Sequence, residues 1–484
     1  MARFSPLMAS LPLLISLMSA TFQAQANNQL PDIGTAGVAA LPIEQEVRYG
    51  NAFMRFARAG LPIIDDPVLS EYIDDLGQRL LTNADGVRFP FTFFLINDPS
   101  INAAAFLGGR VKVHTGLFLY ADNESELASV LAHEITHVTQ RHIARYMEAQ
   151  ASSSAMTLAG LVGSIALAVI NPTAGIAALQ TTLGLSMQSA INYTRDNEYE
   201  ADRIGMKTLY DAGFDPMGMA SFFQKLAAEY RYASKPPEML LTHPLPETRI
   251  SEARARANSY GRRALPPSLD FWLAKVRIQV RYGTESPQAL LTYFDSRLQK
   301  GDYPLKDAAT YGKALALLQL KRTDEADTLM QGLAARHPED LFVVDALTDI
   351  DLAKGRSAQA IARLERFRTR MPDNEVVVVN LGNAYLEAGN YKKSIAILDP
   401  YAREHDENSL AWSLLSDAYR KAGRMTDLHM ARAETLSLRG DYQAAIDELI
   451  VARGTTSDKL TLARIEARIT QLERAKKDLD SLKG

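Results

Sequence analysis

The sequence predicts a predominantly helical α+β chain: a mixed domain with a small sheet and one buried, histidine-bearing helix, followed by an α-solenoid. Three observations carry that prediction. Leu127, Val130, Leu131, Ile135 and Val138 recur at helical period, which marks a packed helix. Phe89 to Ile96 is aromatic and β-prone, and Arg110 to His114 alternates polar and apolar residues, as strands do. Gly355, Gly389 and Gly423 stand 34 residues apart, and Pro338 and Pro372 keep the same interval. A period of that length means stacked helix pairs.

With 484 residues the chain is longer than one core normally supports. Its patterns divide it into a leader (1–26), a mixed domain (27–265) and a repeat domain (266–484). The net charge of −4 and the lack of any basic stripe argue against nucleic acid as a partner. The absence of cysteine excludes a disulfide framework, a thiolate metal site and a cysteine nucleophile together. Arg3, the apolar run from Leu7 to Ser19 and Ala24-Gln25-Ala26 read as an export signal cleaved after Ala26.

Helical period runs from Ile43 to Ala59, and Asp66-Pro67 opens a second helix through Leu81, with proline in the first turn. The strand signal at Phe89 to Ile96 ends at Asn97-Asp98-Pro99-Ser100. Arg110 to His114 reads as a half-buried edge strand, either plain or pairing with an extended peptide. Gly116 breaks it, and Asp122 or Asn123 caps the next helix.

That helix carries His133-Glu134-x-x-His137. The two histidines, four residues apart, project from one face and can grip one Zn²⁺ per chain; Glu134 beside them is placed to take a proton from a water polarised by the ion. His142 falls about half a turn off that face and is expected in solvent. His114 is expected to pack or to touch substrate. The third ligand is Glu198, in a stretch from Asn197 to Gly205 that reads as a helix start. Asp202 shares its face, ready to hydrogen-bond a zinc-bound histidine, and Glu200 points away. Between the two motifs, residues 156–191 contain no charge and are split by Asn171-Pro172. They form an apolar hairpin that covers the site, makes peripheral contact with a membrane or an apolar partner, or packs into the core.

His133-Glu134-x-x-His137 followed by Glu198-x-x-x-Asp202 resembles the Oma/HtpX/CAAX-protease group of gluzincin peptidases. The leader, the hairpin and the repeats make the chain similar to the periplasmic members of that group that act on outer-membrane β-barrel proteins. The resemblance implies a gluzincin-type zinc endopeptidase with chaperone-like activity, located in the periplasm. It assigns zinc to His133, His137 and Glu198, base catalysis to Glu134, and to Asp202 a position often given proton donation. Many relatives carry Asn-Ala-Phe-Ala before the paired glycines, whereas Asn102-Ala103-Ala104-Ala105-Phe106 shifts the aromatic residue here. Leu241 to Arg249 resembles the family's His-Pro loop, whose flanking prolines present His243. His243 then either donates to the oxyanion or serves as a fourth zinc ligand in a closed state. Arg249 is expected to anchor the loop through Asp202.

The repeat signal is strongest from about Thr310 to Glu407; Ala326 and Ala360 supply the small residues close helix contact needs. Helices between Phe271 and Lys300 extend the array, and Lys459 to Leu482 caps it. Such arrays bind proteins. By resemblance, the partners are mis-assembled outer-membrane proteins and the β-barrel assembly machinery. The alternative is a non-proteolytic chaperone or scaffold that works through its repeats, with a structural or latent zinc site.

Overall fold

Asp66 ends a loop and starts a helix for the reason its position suggests: its side chain accepts from Leu69 N at 3.4 Å, and Pro67 supplies the first-turn φ without an unused N–H. The computed structural model describes residue 37 and residues 41–149, 187–230 and 238–481. The expected leader, most of the stretch before Pro42, and residues 156–186 of the expected hairpin lie outside the described residues.

Helices α1 (Ile43–Gly60) and α2 (Pro67–Leu81) precede three strands, β1 (Thr92–Ile96), β2 (Ala103–Phe106) and β3 (Arg110–His114). The order in the sheet is β1-β3-β2, with β1 parallel and β2 antiparallel to β3. Arg110 to His114 is therefore the central strand and not an edge, which corrects the reading from alternation. Gly108 and Gly109, at φ of 70° and 73°, turn the chain back on itself, so β2 covers one side of β3 while β1 covers the other. Lys112 and His114 are consequently buried, and His114 Nδ1 lies 2.9 Å from Ser100 Oγ, a packing role.

Helices α3 (Thr115–Tyr120), α4 (Glu124–Thr139), α5 (His142–Ala149), α6 (Met187–Asp211), α7 (Met217–Tyr230), α8 (Glu238–Thr242) and α9 (Glu247–Tyr260) complete the mixed part. Asn123 caps α4 by accepting from Glu126 N at 3.1 Å. Helix α4 is buried on nearly every side, between β2 and helices α2, α6 and α7. It is the axis on which the other elements are hung.

Helix pairs follow: α10 (Leu269–Tyr282), α11 (Pro287–Lys300), α12 (Lys306–Gln319), α13 (Thr323–Arg336), α14 (Leu341–Ala353), α15 (Ser357–Arg370), α16 (Glu375–Glu387), α17 (Tyr391–Glu404), α18 (Ser409–Lys421), α19 (Met425–Leu438), α20 (Tyr442–Gly454) and α21 (Lys459–Ser481). Gly355, Gly389 and Gly423 take φ of 69°, 72° and 71° at the turn inside their pairs, a conformation few other residues hold. Ala326 and Ala360 are fully buried between helices. No helix among the described residues is long and apolar enough to cross a membrane.

The repeats are tied to α2 by buried charge. Arg277 on α10 places Nε 2.8 Å from Asp66 Oδ2 and Nη1 2.7 Å from Asp345 Oδ2 and 3.0 Å from the Tyr311 hydroxyl. Tyr282 OH donates to the same Asp66 oxygen at 3.0 Å. Further along, Asn374 Nδ2 donates to Glu71 at 2.9 Å and Ser409 Oγ to Asp65 Oδ2 at 2.9 Å. The first helices of successive pairs thus lie along α2, and part of the face that stacked pairs offer to partners is taken by the chain itself. Replacing Arg277 with Met leaves Asp66 and Asp345 buried without their cation, which costs about 3–5 kcal/mol. A clear fall in the thermal unfolding midpoint of Arg277→Met is expected; an unchanged midpoint would remove this cluster from the account of how the two parts hold together.

Candidate metal centre

Four side chains from three segments converge. His133 and His137 come from α4, Glu198 from α6, and His243 from the residue after α8. One donor atom from each lies within 4.8 Å of all the others. His133 Nε2 is 2.9 Å from His137 Nε2, 3.3 Å from Glu198 Oε2 and 3.3 Å from His243 Nδ1. Glu198 Oε1 is 3.4 Å from His137 Nε2 and 3.0 Å from His243 Nδ1. Donors held about 2.0–2.1 Å from a tetrahedral ion sit about 3.3 Å apart, so the spacing and the nitrogen–oxygen set fit a Zn²⁺-like cation. Glu198 lies in the middle of α6, not at a helix start; the turn-like residues Asn197 and Asp196 are carried inside a 25-residue helix.

A second layer holds these groups. Asp202, one turn beyond Glu198, sets Oδ1 3.0 Å from His133 Nδ1, the ring edge facing away from the other donors. Arg249, 2% exposed, donates through Nε and Nη2 to both Asp202 oxygens at 2.7 and 2.8 Å, and reaches Glu198 Oε2 at 2.8 Å. Its Nη1 also donates to Pro244 O at 2.7 Å, which pins the His-Pro loop to the same two carboxylates. Glu134 accepts from Ala105 N of β2 at 2.8 Å through Oε2. Its other oxygen is buried, has no hydrogen-bond partner among the described residues, and lies 3.5 Å from His243 Nε2.

His142 is not in solvent. Helix α4 stops at Thr139, and Arg141 takes φ of 53°, anchored by Glu46 and the Leu41 carbonyl. The helical wheel therefore does not extend to residue 142, and the chain doubles back to bury the ring against His137. No glycine or proline announces that break. Glu200 does point away from the donors, but toward His142 and Arg145, not into solvent alone. These two residues, and the Ala105 amide, are what the sequence reading missed.

Charge explains the protonation pattern. Burial opposes the Glu198 anion, yet His243 and His133 hold it well below the usual carboxylate range. Burial likewise opposes a charged His133, but Glu198 and Asp202 outweigh it and lift the ring to about 10. His137, with less compensation, is pushed down by burial to about 4. A pocket with buried anionic oxygen on this scale calls for cationic charge. Beside His133 and His243 lies a 10 Å³ cavity against Phe223, Met239 and Leu245, too small for a substrate side chain.

Comparison with known proteins adds the class. Residues 67–257 match the model of peptidase family M48, and residues 351–418 match the tetratricopeptide repeat. The beta-barrel assembly-enhancing protease of Yersinia pestis is 50% identical over 340 residues, 70% of each chain. That of Escherichia coli K12 is 46% identical over 345 residues, 71% of each chain. A Vibrio cholerae relative is 54% identical over 322 residues, 66% of each. The matched stretch thus spans about two thirds or slightly more of these relatives' length. The chain belongs to peptidase family M48, in the group of these proteases. It is a metal-dependent peptidase.

The helices that bring the donors together meet at Gly205, where a Cβ would lie 3.1 Å from the Ala132 backbone of α4. Gly205→Val should push α6 off α4 and carry Glu198 away from the histidines, weakening metal binding at least about tenfold. Chelator competition on the purified variant checks this, and wild-type affinity would show that the close approach does not set the site.

Proposed function

We propose that this chain is an exported zinc endopeptidase that degrades mis-assembled outer-membrane β-barrel proteins, with residues 27–265 as the peptidase part and 266–484 as the repeats that engage substrates and the assembly machinery. The observation that carries the reading is the juxtaposition of a four-donor cluster with a buried Glu134 oxygen that accepts no hydrogen bond among the described residues. The names of the relatives support the substrate class, and the expected cleavage after Ala26 supports a periplasmic location.

In this reading His133, His137 and Glu198 hold the ion, which when bound supplies a Lewis acid for the scissile carbonyl and acidifies water. Glu134, steered by the Ala105 amide, takes the proton of the attacking water and returns it to the leaving nitrogen. Asp202 is a positioning residue: it fixes the ring of His133 and the charge of Arg249. The outer edge of β2, which pairs with no further strand among the described residues and whose Ala105 amide meets Glu134, takes the place assigned above to Arg110–His114 as the strand on which an extended substrate pairs. His243 stands at the fourth corner through Nδ1, where a water has to sit for hydrolysis. The arrangement is accordingly a closed, latent state, and the loop from Leu241 to Arg249 acts as its plug.

Glu134→Gln should lower casein cleavage by roughly 10²–10⁴-fold while metal content stays at one ion per chain. If that variant also restores function fully in cells lacking the protein, a scaffold acting through the repeats is the better reading. His243→Ala should raise cleavage by roughly 3–10-fold, the gain expected when a closed state that outweighs the open one by that ratio is lost. Slower cleavage would instead assign His243 to stabilising the oxyanion.

A further inference from the structure

His137 reaches the donor cluster through Nε2, so its other nitrogen faces outward. That Nδ1 lies 2.8 Å from Nδ1 of His142. The two rings meet nearly edge to face, with centroids 4.8 Å apart and planes 83° apart. Two nitrogens this close share one hydrogen: one ring donates and the other offers a lone pair. If His137 presents its Nε2 lone pair to an ion, its hydrogen is on Nδ1, and His142 must be the acceptor. The hydrogen of His142 is then on Nε2, which lies 3.1 Å from Glu200 Oε2. Arg145 Nη1 donates to that same oxygen at 2.7 Å and holds the carboxylate charged.

From this we infer that His142, backed by Glu200 and Arg145, is a positioning residue that fixes the ring and tautomer of His137, as Asp202 and Arg249 do for His133. The inference rests on the reading of His137 as a metal ligand. Each histidine of the pair then has its own polar chain: a carboxylate directly on His133 with an arginine behind it, and histidine, carboxylate and arginine in series on His137. The two chains differ in a way that matters. Asp202 brings a full negative charge to its histidine, whereas the neutral ring of His142 brings an oriented lone pair and leaves the anion one residue further out. His137 thereby gains orientation without a second anion crowding Glu198. The elements supplying the chain are the short α5 and the exposed side of α6, brought together only because α4 breaks at Arg141.

The test uses the full chain loaded with Co²⁺ and, separately, with Zn²⁺ under chelator competition. His142→Phe keeps the ring volume but offers no lone pair; His142→Asn offers Oδ1 at about the place of Nδ1. His142→Phe is expected to lose about 10–100-fold in metal affinity and to alter the visible spectrum of bound Co²⁺. His142→Asn is expected to recover most of both, which a merely structural role for the ring would not produce. Glu200→Ala should weaken binding in wild type and add little in His142→Phe, since the two act in one chain. With wild type binding one ion and His137→Ala binding none, a His142→Phe protein with unchanged affinity and spectrum overturns the inference, as does His142→Asn failing together with His142→Phe. If His137→Ala binds the ion as wild type does, the ligand assignment itself fails, and the role of His142 with it.

Discussion

Two carboxylates one helical turn apart, Glu198 and Asp202, are buried in a packed interior, and the rest of the site follows from that cost. An anion removed from water is tolerated only with cationic charge and hydrogen bonds around it. Arg249 gives one guanidinium to both groups, His133 stands between them, and His243 approaches Glu198 from the loop. Because Arg249 also holds the Pro244 carbonyl, the charge balance and the loop position are one arrangement. Opening the loop means rearranging a buried ion cluster, which is a physical basis for the closed state proposed above.

Helix α4 makes this possible by being buried on nearly all sides. Its apolar positions are gripped by the sheet and by α2, α6 and α7, so the two histidines have little freedom left. The glycine in α6 lets the second helix approach to backbone contact. β2 adds a single but directed interaction, the Ala105 amide on Glu134, which leaves the other carboxylate oxygen turned toward the cluster. Rigidity of the scaffold and direction of the Glu134 carboxylate therefore come from different elements.

The repeat array is not a passive extension. Arg277 joins the N-cap of α2 to a helix of the third pair through Asp345, so the element that packs on the histidine-bearing helix α4 also lines the array. Helix α2 thus touches both the repeats and α4.

Much of this was legible in the residues themselves. The His133-Glu134-x-x-His137 spacing, the carboxylates at 198 and 202, the cap at Asp66 and the 34-residue period are local patterns, and local patterns survive in one dimension because helical geometry repeats. What only the tertiary structure decided is where chain direction changes without a marked residue. Arg110–His114 alternates like an edge strand but is central, because two adjacent glycines fold β2 back over it. His142 reads as solvated on a continued wheel but is buried against His137, because α4 ends at a left-handed Arg141 whose strain is offset by Glu46 and Leu41 from far upstream. Partners that distant leave no periodic trace in sequence, so the donors that converge here, and Asp202 behind them, could be picked out from local patterns while His142 and the Ala105 amide could not.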